Sequence, residues 1–442
     1  MAMKRPPGLR GPVLSPNGAR CCRPGAAGRR RANVHSGALP RTPAHRMPHR
    51  DPPTQAKRVA VFRSDVLPLS ETFILQQLRG LRRWQGRLVG FRAVQNGLPL
   101  QDDPPLLLHA PPRSVLERAC WKAFCTAGWP MPKPLRALKA MRPDLVHVHF
   151  GTDAVAAWPW LRRLGVPVLV TLHGYDATVR PDWWRSGAGG PGMRHYPEAL
   201  LAMSRHPSVR FIAVSQAIKA KAQTLYGLPP DKIDVHYIGV NVQAFPPGPT
   251  PAGERPPRVL FVGRMVEKKG LAILLEAMHH VQKSTPAAEL VVVGDGPLRE
   301  AMHARAAELG LNVRFMGSQP NTVVREQLDQ ARVFCLPSIT AENGDAEGLP
   351  IVLLEAQSSG VPVVTSAHGG RDEGLVDGRT GHGFAEGDVS ALAQGISQIL
   401  GDEALANSMG AAAAAFIREK FASPDCASRL ETIYDRAAAR SR

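Results

Sequence analysis

Short apolar runs rich in β-branched residues recur along the chain, and most of them end in glycine or polar residues before a helical stretch. Seven of them predict buried strands, at residues 58–62, 144–149, 167–173, 209–215, 258–264, 290–293 and 361–365. Buried strands that alternate with helices form parallel sheets with helices on both faces. The sequence therefore predicts an α/β fold, and 442 residues suffice for two domains with separate cores.

One loop and the helix after it, residues 338–360, carry most of the functional signal. Pro350 suits the first helical position, where its missing N–H costs nothing, and Gly360 suits the position just past the helix end. The start of such a helix offers unpaired N–H groups and partial positive charge to a phosphate. We expect the backbone amides of Gly348 and Leu349 to bind that phosphate, because a glycine permits close approach.

Two carboxylates bracket this helix start. Glu347 lies in the loop, and Glu355 follows Pro350 by five residues, about 7.5 Å further along the helix axis. If the helix start binds a diphosphate, one carboxylate faces the sugar and the other faces the ribose. The alternative is a helix cap beside a solvated glutamate, which is the commoner outcome for an isolated pair.

Basic residues and tight turns follow the strands upstream. Arg264 comes directly after Gly263 at a strand end, and Lys269 with Gly270 opens a predicted helix, residues 271–282. A strand end followed by basic residues and a helix start is where a doubly wound sheet binds anions. Gly294 begins the turn Gly-Asp-Gly-Pro into a further helix, so it joins the candidate donor-binding residues.

Taken in order, these motifs make residues 258–424 resemble the nucleotide-sugar-binding half of glycosyltransferase family 4. The motifs are Gly-Arg then Lys-Gly, Gly-Asp-Gly-Pro, Glu-Gly-Leu-Pro with a second Glu eight positions on, and Gly-Gly-x-x-Glu at residues 369–373. The colanic-acid and exopolysaccharide type is the most similar. The resemblance implies a GT-B fold, with two Rossmann-like domains facing across a cleft. It also implies retention of anomeric configuration and a UDP- or GDP-sugar donor, with no cofactor.

The first half contributes a histidine segment. His173-Gly174-Tyr175-Asp176 matches the His-Gly-x-Asp segment of the family, and the resemblance implies that His173 contacts the donor sugar. His147 and His149 share one face of a strand, because strand side chains alternate. With His173 and Asp176 they suggest zinc, but a three-ligand set with its supporting residues is not evident, so no metal is predicted. The structural alternative is that His173 is a histidine at a strand end whose ring nitrogens are hydrogen-bonded within the protein.

Two serines are predicted to begin helices. Ser70 precedes a helix at 71–81, and the segment from Ser70 to Phe73 takes the place of the glycine-rich loop that other family members have. Ser215 resembles the family serine that caps the next helix, residues 216–226. The family more often has Asp where Asn241 stands, which weakens an argument from charge at that position.

Composition bounds the remaining interpretation. Residues 1–57 contain 12 Lys and Arg against one acid, Asp51, so most of the net charge of +18 lies in a tail that we expect to be disordered. No motif of a nucleic-acid-binding domain follows this tail, so no nucleic-acid partner is predicted. A start of translation at Met47 would remove most of the tail. The six cysteines lack zinc-site spacing, and reduced thiols in a cytoplasmic protein are expected.

No apolar run is long enough to span a bilayer, so any membrane contact is peripheral, at the inner face of the plasma membrane. Residues 100–140 mix basic and aromatic residues that suit an anionic membrane surface, although a solvated, loop-rich insertion is the preferred interpretation. The predicted domains are a tail at 1–57, an acceptor domain at 58–240, a linker at 241–257, a donor domain at 258–424 and a helix at 425–442 that crosses back to the acceptor domain.

The predicted activity is transfer of a hexose from a nucleotide-diphosphate sugar to a glycan or lipid-linked saccharide during extracellular or capsular polysaccharide synthesis. His173 and Glu347 are the candidate catalytic residues. Whether Glu347 acts as a nucleophile or the acceptor attacks on the face of departure stays open. The alternatives are a nucleotide-sugar epimerase or hydrolase, and a non-catalytic relative. The last is disfavoured because Arg264, Lys269, Glu347 and Glu355 are all present.

Overall fold

The computed structural model describes residues 56–68, 71–94, 97–108, 114–127, 132–366 and 373–439. Nearly all of the predicted tail, Ser70 and the glycine pair at 369–370 lie outside these ranges. The strands are β1 (Lys57–Phe62), β2 (Asp65–Val66), β3 (Trp84–Gly90), β4 (Arg92–Ala93), β5 (Leu106–Leu107), β6 (Leu145–His149), β7 (Val168–Leu172), β8 (Val209–Ala213), β9 (Ile233–Val235), β10 (Arg258–Val262), β11 (Glu289–Val293), β12 (Val313–Phe315), β13 (Val333–Leu336), β14 (Val363–Thr365) and β15 (Gly381–Gly383).

The α-helices alternate with these strands, as the sequence predicts. They are α1 (Thr72–Gly80), α2 (Val115–Ala127), α3 (Pro132–Ala140), α4 (Gly151–Leu161), α5 (Tyr175–Thr178), α6 (Pro181–Ser186), α7 (Tyr196–Ser204), α8 (Gln216–Tyr226), α9 (Leu271–Ser284), α10 (Arg299–Glu308), α11 (Asn321–Gln330), α12 (Ile351–Ser358), α13 (Val389–Gly401), α14 (Glu403–Lys420) and α15 (Ser423–Ala439). All seven predicted strands are present, with ends that differ by one or two residues.

Two parallel sheets organise the chain. The first has the strand order β5-β3-β1-β6-β7-β8-β9, and the second has the order β12-β11-β10-β13-β14-β15. Every adjacent pair in both sheets is parallel. In each sheet the order reverses beside the first strand of that half, β1 or β10. Such switch points are where open α/β sheets place their ligand sites, at the carboxyl ends of the strands.

Strand β1 shows why both faces of the first sheet are apolar. Ala60 and Phe62 belong to the core on one face, whereas Val59 and Val61 belong to the core on the other face. All four are at most 2% exposed. Alternation of side chains along a strand puts successive residues into two separate cores, so a continuous apolar run is what a doubly covered strand requires.

The start of α8 agrees with the prediction. Ser215 is its N-cap, and the hydroxyl oxygen accepts a hydrogen bond of 3.1 Å from the Ile218 amide. At the start of α1 the residue in the cap position is Glu71, whose side chain makes no capping hydrogen bond. The capping prediction for Ser70 falls on a residue outside the described ranges.

The interpretation of residues 100–140 as a loop-rich insertion is wrong, because α2 and α3 occupy much of it. Val115 and Leu116, in the first turn of α2, are each 73% exposed. Apolar residues at exposed positions obscure the 3.6-residue pattern by which an amphipathic helix is recognised. Within the described ranges, no helix is long and apolar enough to cross a membrane. The membrane contact predicted for this stretch stays a prediction.

The last helix, α15, returns to the first sheet and packs against α1. Leu430, Ile433 and Tyr434 lie in the same core as Val59 of β1. The carboxylate of Glu431, which is 2% exposed, accepts hydrogen bonds from three successive backbone amides at residues 82–84. A buried carboxylate with this many donors anchors the helix to the loop before β3.

The chain passes between the two sheets at two places that touch each other. The Val240 amide donates to the Phe421 carbonyl at 2.8 Å, and the Ser423 amide donates to the Val240 carbonyl at 2.9 Å. The first passage continues into the proline-rich stretch after Asn241, whose side-chain oxygen accepts from the amides of Gln243 and Ala244. Each passage therefore supports the other through backbone hydrogen bonds.

Candidate active site

A cleft of about 400 Å³ lies between the carboxyl ends of the two sheets and brings together most of the predicted site residues. Residues of both halves line it: Thr72, Phe73, Phe150, His173, Val214, Ile238, Val262, Gly263, Arg264, Lys269, Asn321, Val324, Glu347, Leu349, Pro350, Ile351, Val352 and Glu355. Six of the eight predicted site residues are in this set. The other two, Gly294 and Gly348, lie in adjoining loops.

Helix α12 starts one residue later than the sequence predicts. Pro350 is the N-cap, with φ −64° and an extended ψ of 118°, and Ile351 is the first helical residue. Gly360 follows the helix end as predicted, with φ 71°, and its amide donates to the Gln357 carbonyl at 3.0 Å. This is a left-handed helix terminus that glycine adopts without strain. The helix start faces the cleft, because Pro350 and Ile351 both line it.

The two glycines are required by close packing of backbone segments. A Cβ atom on Gly348 would lie 2.4 Å from the carbonyl oxygen of His173, in the opposite half of the molecule. A Cβ atom on Gly294 would lie 2.0 Å from the carbonyl oxygen of Gly263, and the Gly294 amide donates to the Gly317 carbonyl at 2.8 Å. Gly348 therefore lets the two halves approach, and Gly294 joins two strand ends within one half.

The loop before α12 is attached to the opposite half by hydrogen bonds. The Ala346 amide donates to the Thr178 hydroxyl at 3.0 Å, and the Arg180 amide donates to the Asn343 carbonyl at 2.9 Å. These contacts position Glu347 at the junction of the two sheets. The loop is therefore held at both ends, by α12 on one side and by the segment after α5 on the other.

Glu347 is held between two lysines. Its Oε1 atom lies 3.0 Å from Lys269 Nζ and 4.0 Å from Lys268 Nζ. Burial alone would raise the pKa of Glu347, but the two ammonium groups hold it below its ordinary value. Lys268 also pairs with Asp345 at 3.0 Å. Glu347 is therefore ionised. If Lys269 moves away to bind a ligand, Lys268 still lies near the Glu347 carboxylate. Nothing in the sequence distinguishes the two adjacent lysines.

Arg264 is exposed at the edge of the cleft, directly after β10. Among the residues described, none forms an ion pair or hydrogen bond with its guanidinium group. Within the described part of the chain, an anionic ligand that binds Arg264 therefore displaces no internal partner of its guanidinium group.

Glu355 lies on α12 at the bottom of the cleft and is 8% exposed. Burial raises the pKa of its carboxyl group to about 7 from an ordinary 4.5, and no cation among the described residues compensates. An acid that is costly to bury without partners suggests a site completed by hydroxyl groups of a ligand.

The pKa of Glu355 predicts a specific dependence of stability on pH. Because the folded pKa is raised, the protonated acid contributes stability that is complete below pH 4.5 and is lost as the pH rises through about 7. Glu355→Gln should therefore gain stability relative to wild type by up to about 3 kcal/mol between pH 4.5 and pH 8. Urea unfolding at a series of pH values measures this difference. Glu300→Gln, at an exposed position of α10, is the control and should show no such trend.

His173 lines the cleft and is hydrogen-bonded to a second histidine. Its Nε2 lies 3.0 Å from Nδ1 of His149, and burial, with the charge of Arg63 nearby, lowers the pKa of His173 to about 3. The prediction that His147 and His149 share a face is confirmed, since their ring centroids are 4.4 Å apart. The sequence placed these histidines on neighbouring strands, but it did not show that His149 and His173 touch.

Asp176, which the sequence offers as a possible metal ligand, has a structural role. Its carboxylate accepts hydrogen bonds from the backbone amides of Gly151, His173 and Gly174 at 2.7 to 3.0 Å. The described residues contain no group of three or more histidine, cysteine or acidic side chains arranged to hold a metal ion. Asp176 thus fixes the backbone of the loop that carries His173.

Of the Gly-Gly-x-x-Glu motif, only Glu373 lies within the residues that the structure describes. Its Oε1 atom accepts from the Gln216 amide at 2.8 Å and from the Ala217 amide at 3.3 Å, at the start of α8. Its Oε2 atom accepts from the Tyr237 hydroxyl at 2.8 Å. A carboxylate at a helix N-terminus is favourably placed, so Glu373 joins the two halves beside the cleft.

Comparison with known proteins identifies the family of this chain. The family model described as Glycosyltransferase Family 4 matches residues 70–244, and the model described as Glycosyl transferases group 1 matches residues 247–416. A GDP-mannose-dependent alpha-(1-6)-phosphatidylinositol monomannoside mannosyltransferase of Mycolicibacterium smegmatis is 30% identical over 304 residues, which cover 64% of this chain and 75% of that protein. This chain belongs to glycosyltransferase family 4. The resemblance inferred from the motifs is confirmed.

Another relative within this family has a biosynthetic assignment. A protein of Escherichia coli K12 described as "Putative colanic acid biosynthesis glycosyltransferase WcaL" is 32% identical over 258 residues, covering 57% of this chain and 60% of WcaL. The match spans about three fifths of that relative's length. The crystal structure of Anabaena HepE in complex with UDP and glucose superposes with a TM-score of 0.68 at 17% identity, covering 86% of this chain and 99% of HepE. The predicted GT-B fold of this family 4 member is confirmed.

Proposed function

We propose that this protein is a retaining glycosyltransferase that moves a hexose from a nucleotide-diphosphate sugar to a glycan or lipid-linked saccharide during exopolysaccharide synthesis. The observation that carries the proposal is the convergence of Arg264, Lys269 and the start of α12 on one cleft, with an ionised Glu347 at one end and a buried Glu355 at the other. The biosynthetic assignment of WcaL and the ligands of HepE support it.

The diphosphate of the donor would bind to the cations and the helix start. The guanidinium group of Arg264 has no ion-pair or hydrogen-bond partner among the described residues, and Lys269 can turn from Glu347 to the diphosphate because Lys268 remains near that carboxylate. The first amides of α12 have no acceptor within the helix, as at any helix start, and would supply further donors. Together these groups stabilise the negative charge that develops as the diphosphate departs.

The two carboxylates would contact different parts of the donor. Glu347 lies in the loop next to His173, where the sugar would sit, and Glu355 lies further along α12, where the ribose hydroxyls would sit. His173 would contact the sugar from the other half of the molecule. An uncharged imidazole suits this position because the sugar ring becomes positively charged in the transition state.

The reaction on this proposal needs no cofactor. The bond between the anomeric carbon and the diphosphate oxygen breaks, and its electron pair leaves with the diphosphate. The acceptor oxygen then bonds to the anomeric carbon on the same face, and its proton passes to the departing phosphate oxygen. The protein positions the reactants and stabilises charge, which are the largest effects available to such a site.

The acceptor would enter from the half that contains α1 and α2. Glu71 and Asp153 both pair with Arg63 near the cleft wall formed by Phe150. The exposed Val115 and Leu116 lie on the same half. Exposed apolar surface on the half that would take the acceptor suits a lipid-linked saccharide, and a cytoplasmic enzyme at the inner membrane face fits such an acceptor.

A donor panel tests the activity. Purified protein is incubated with UDP- and GDP-hexoses, with and without saccharide acceptors, and released nucleoside diphosphate and free sugar are measured. We expect turnover with one donor class that rises at least tenfold when the acceptor is present. Full-rate release of free sugar without acceptor would instead identify a hydrolase, and interconversion of donor sugars would identify an epimerase. Binding of every donor without turnover would identify a non-catalytic relative.

A further inference from the structure

We infer that His149 is a positioning residue for the transfer reaction: it holds His173 in one orientation and one tautomer, so that Nδ1 of His173 meets the donor sugar in a fixed role. His149 does not line the cleft and does not touch the substrate in this scheme. The catalytic consequence rests on the function proposed above, whereas the state of the His173 ring can be measured in the free protein.

The contact between the two rings is specific. His149 Nδ1 lies 3.0 Å from His173 Nε2, and the rings are nearly parallel, at 24° with centroids 5.2 Å apart. A hydrogen bond between two imidazole nitrogens contains one proton, so one nitrogen must be protonated and the other must not. When both rings are uncharged, the tautomer of one ring determines the tautomer of the other.

His149 is itself fixed by its surroundings. It is 1% exposed, and its ring packs against that of His147. His147 is hydrogen-bonded at Nδ1 to the Tyr434 hydroxyl at 2.7 Å and at Nε2 to the Thr171 hydroxyl at 2.6 Å. Rotation of His149 would leave buried ring nitrogens without partners and would disturb this packing, so the ring is held in one orientation.

The His173 ring is enclosed in the same way on its other sides. Phe150 lies 4.4 Å from it and Phe73 lies 5.1 Å from it, measured between ring centroids. Phe150 has a φ of 73°, a conformation that is uncommon for a residue with a side chain. The two aromatic rings limit the movement of the imidazole, and His149 determines which way its nitrogens point.

One nitrogen of His173 is left for a ligand. Its Nε2 is occupied by His149, and among the described residues Nδ1 has no hydrogen-bond partner. If the shared proton belongs to His149, Nδ1 of His173 carries a proton and donates to a sugar hydroxyl; in the reverse case it accepts from one. In both arrangements the role of Nδ1 is coupled to the His149 ring, so it changes only when both rings change tautomer together, whereas an isolated imidazole would change alone.

The test compares three variants at neighbouring positions. His149→Phe keeps a flat ring but removes both nitrogens, and His149→Asn keeps a polar atom close to the position of Nδ1. His147→Phe changes a histidine on the same strand face that does not hydrogen-bond to His173. For each protein, the tautomer of His173 is read from ¹³C and ¹⁵N ring shifts by NMR, and turnover and nucleoside diphosphate affinity are measured.

We expect a single His173 tautomer in the wild type and a mixture of both in His149→Phe. The turnover number of that variant should fall by up to about 100-fold, as loss of precise placement does, with nucleoside diphosphate affinity changed less than twofold. His149→Asn should restore the single tautomer and most of the turnover. His147→Phe should lower the melting temperature while the His173 tautomer stays single.

Other outcomes overturn the inference. A single, unchanged tautomer in His149→Phe would show that His149 does not control the ring. Equal losses of turnover and nucleoside diphosphate affinity in that variant would indicate a purely structural role. His149→Leu provides the same test if the phenylalanine variant does not fold. If the wild type transfers no sugar from any donor, the proposed function fails, but the NMR measurement still decides whether His149 sets the tautomer.

Discussion

Arg264→Ala and Lys269→Ala should each lower the turnover number by about two to three orders of magnitude, as loss of a preorganised charge at a developing anion does. The Arg264 variant should keep the melting temperature of the wild type, because this side chain is exposed and has no partner in the described part of the chain. The Lys269 variant should lose a little stability, because Glu347 then depends on Lys268 alone. Steady-state kinetics at saturating donor and thermal unfolding measure both effects.

Lys283→Ala is the matched control for charge, because Lys283 is exposed at the opposite end of α9 from Lys269. It should leave turnover and melting temperature unchanged. Turnover close to that of the wild type in both the Arg264 and the Lys269 variant would contradict the proposal that these two residues bind the diphosphate.

Glu347→Gln and Glu355→Gln should fail in different ways. The ribose does not change during the reaction, so its contacts stabilise ground state and transition state equally. Glu355→Gln should therefore weaken binding of donor and nucleoside diphosphate alike and leave the turnover number nearly intact. Glu347 lies beside the sugar that acquires charge, so Glu347→Gln should lower the turnover number by about 100-fold or more with less effect on nucleoside diphosphate affinity.

Calorimetric titration of nucleoside diphosphate, together with initial rates over a range of donor concentrations, separates these two patterns. The structure gives a reason to expect them, because Glu347 is ionised between two lysines and Glu355 is an isolated buried acid. If Glu347→Gln lost nucleoside diphosphate binding while Glu355→Gln bound it normally, the assignments would have to be exchanged: Glu347 would contact the ribose and Glu355 the sugar.

The sequence was sufficient for those features that depend on local pattern. The buried strands, the Ser215 cap and the glycine after α12 each follow from a short run of residues whose physical preferences agree. For the same reason, the start of α12 that the sequence predicts differs by one residue from the start in the structure. Most of the candidate site residues line one cleft because they follow strand ends, and parallel strands gather their carboxyl ends at one edge. Their roles stay predictions.

The features that the sequence did not reveal depend on contacts between distant residues. The bond between His149 and His173 joins side chains on neighbouring strands, and no periodicity specifies which nitrogen meets which. The sequence indicates a phosphate-binding role for Gly348, yet the atom nearest to a Cβ at this position is the carbonyl oxygen of His173 in the other half. The sequence analysis does not predict helix α2, whose first turn exposes the apolar residues Val115 and Leu116.

The two chain passages between the sheets, here called straps, are hydrogen-bonded to each other at Val240 and Phe421. A single strap would let one half twist and slide against the other. Two adjacent straps would restrict the relative movement of the halves to opening and closing about one axis. The second strap leads into α15, which forms part of the core of the first half. A fragment that ends before residue 423 would thus lack a wall of the first half, and the halves of this protein do not correspond to two separable lengths of chain.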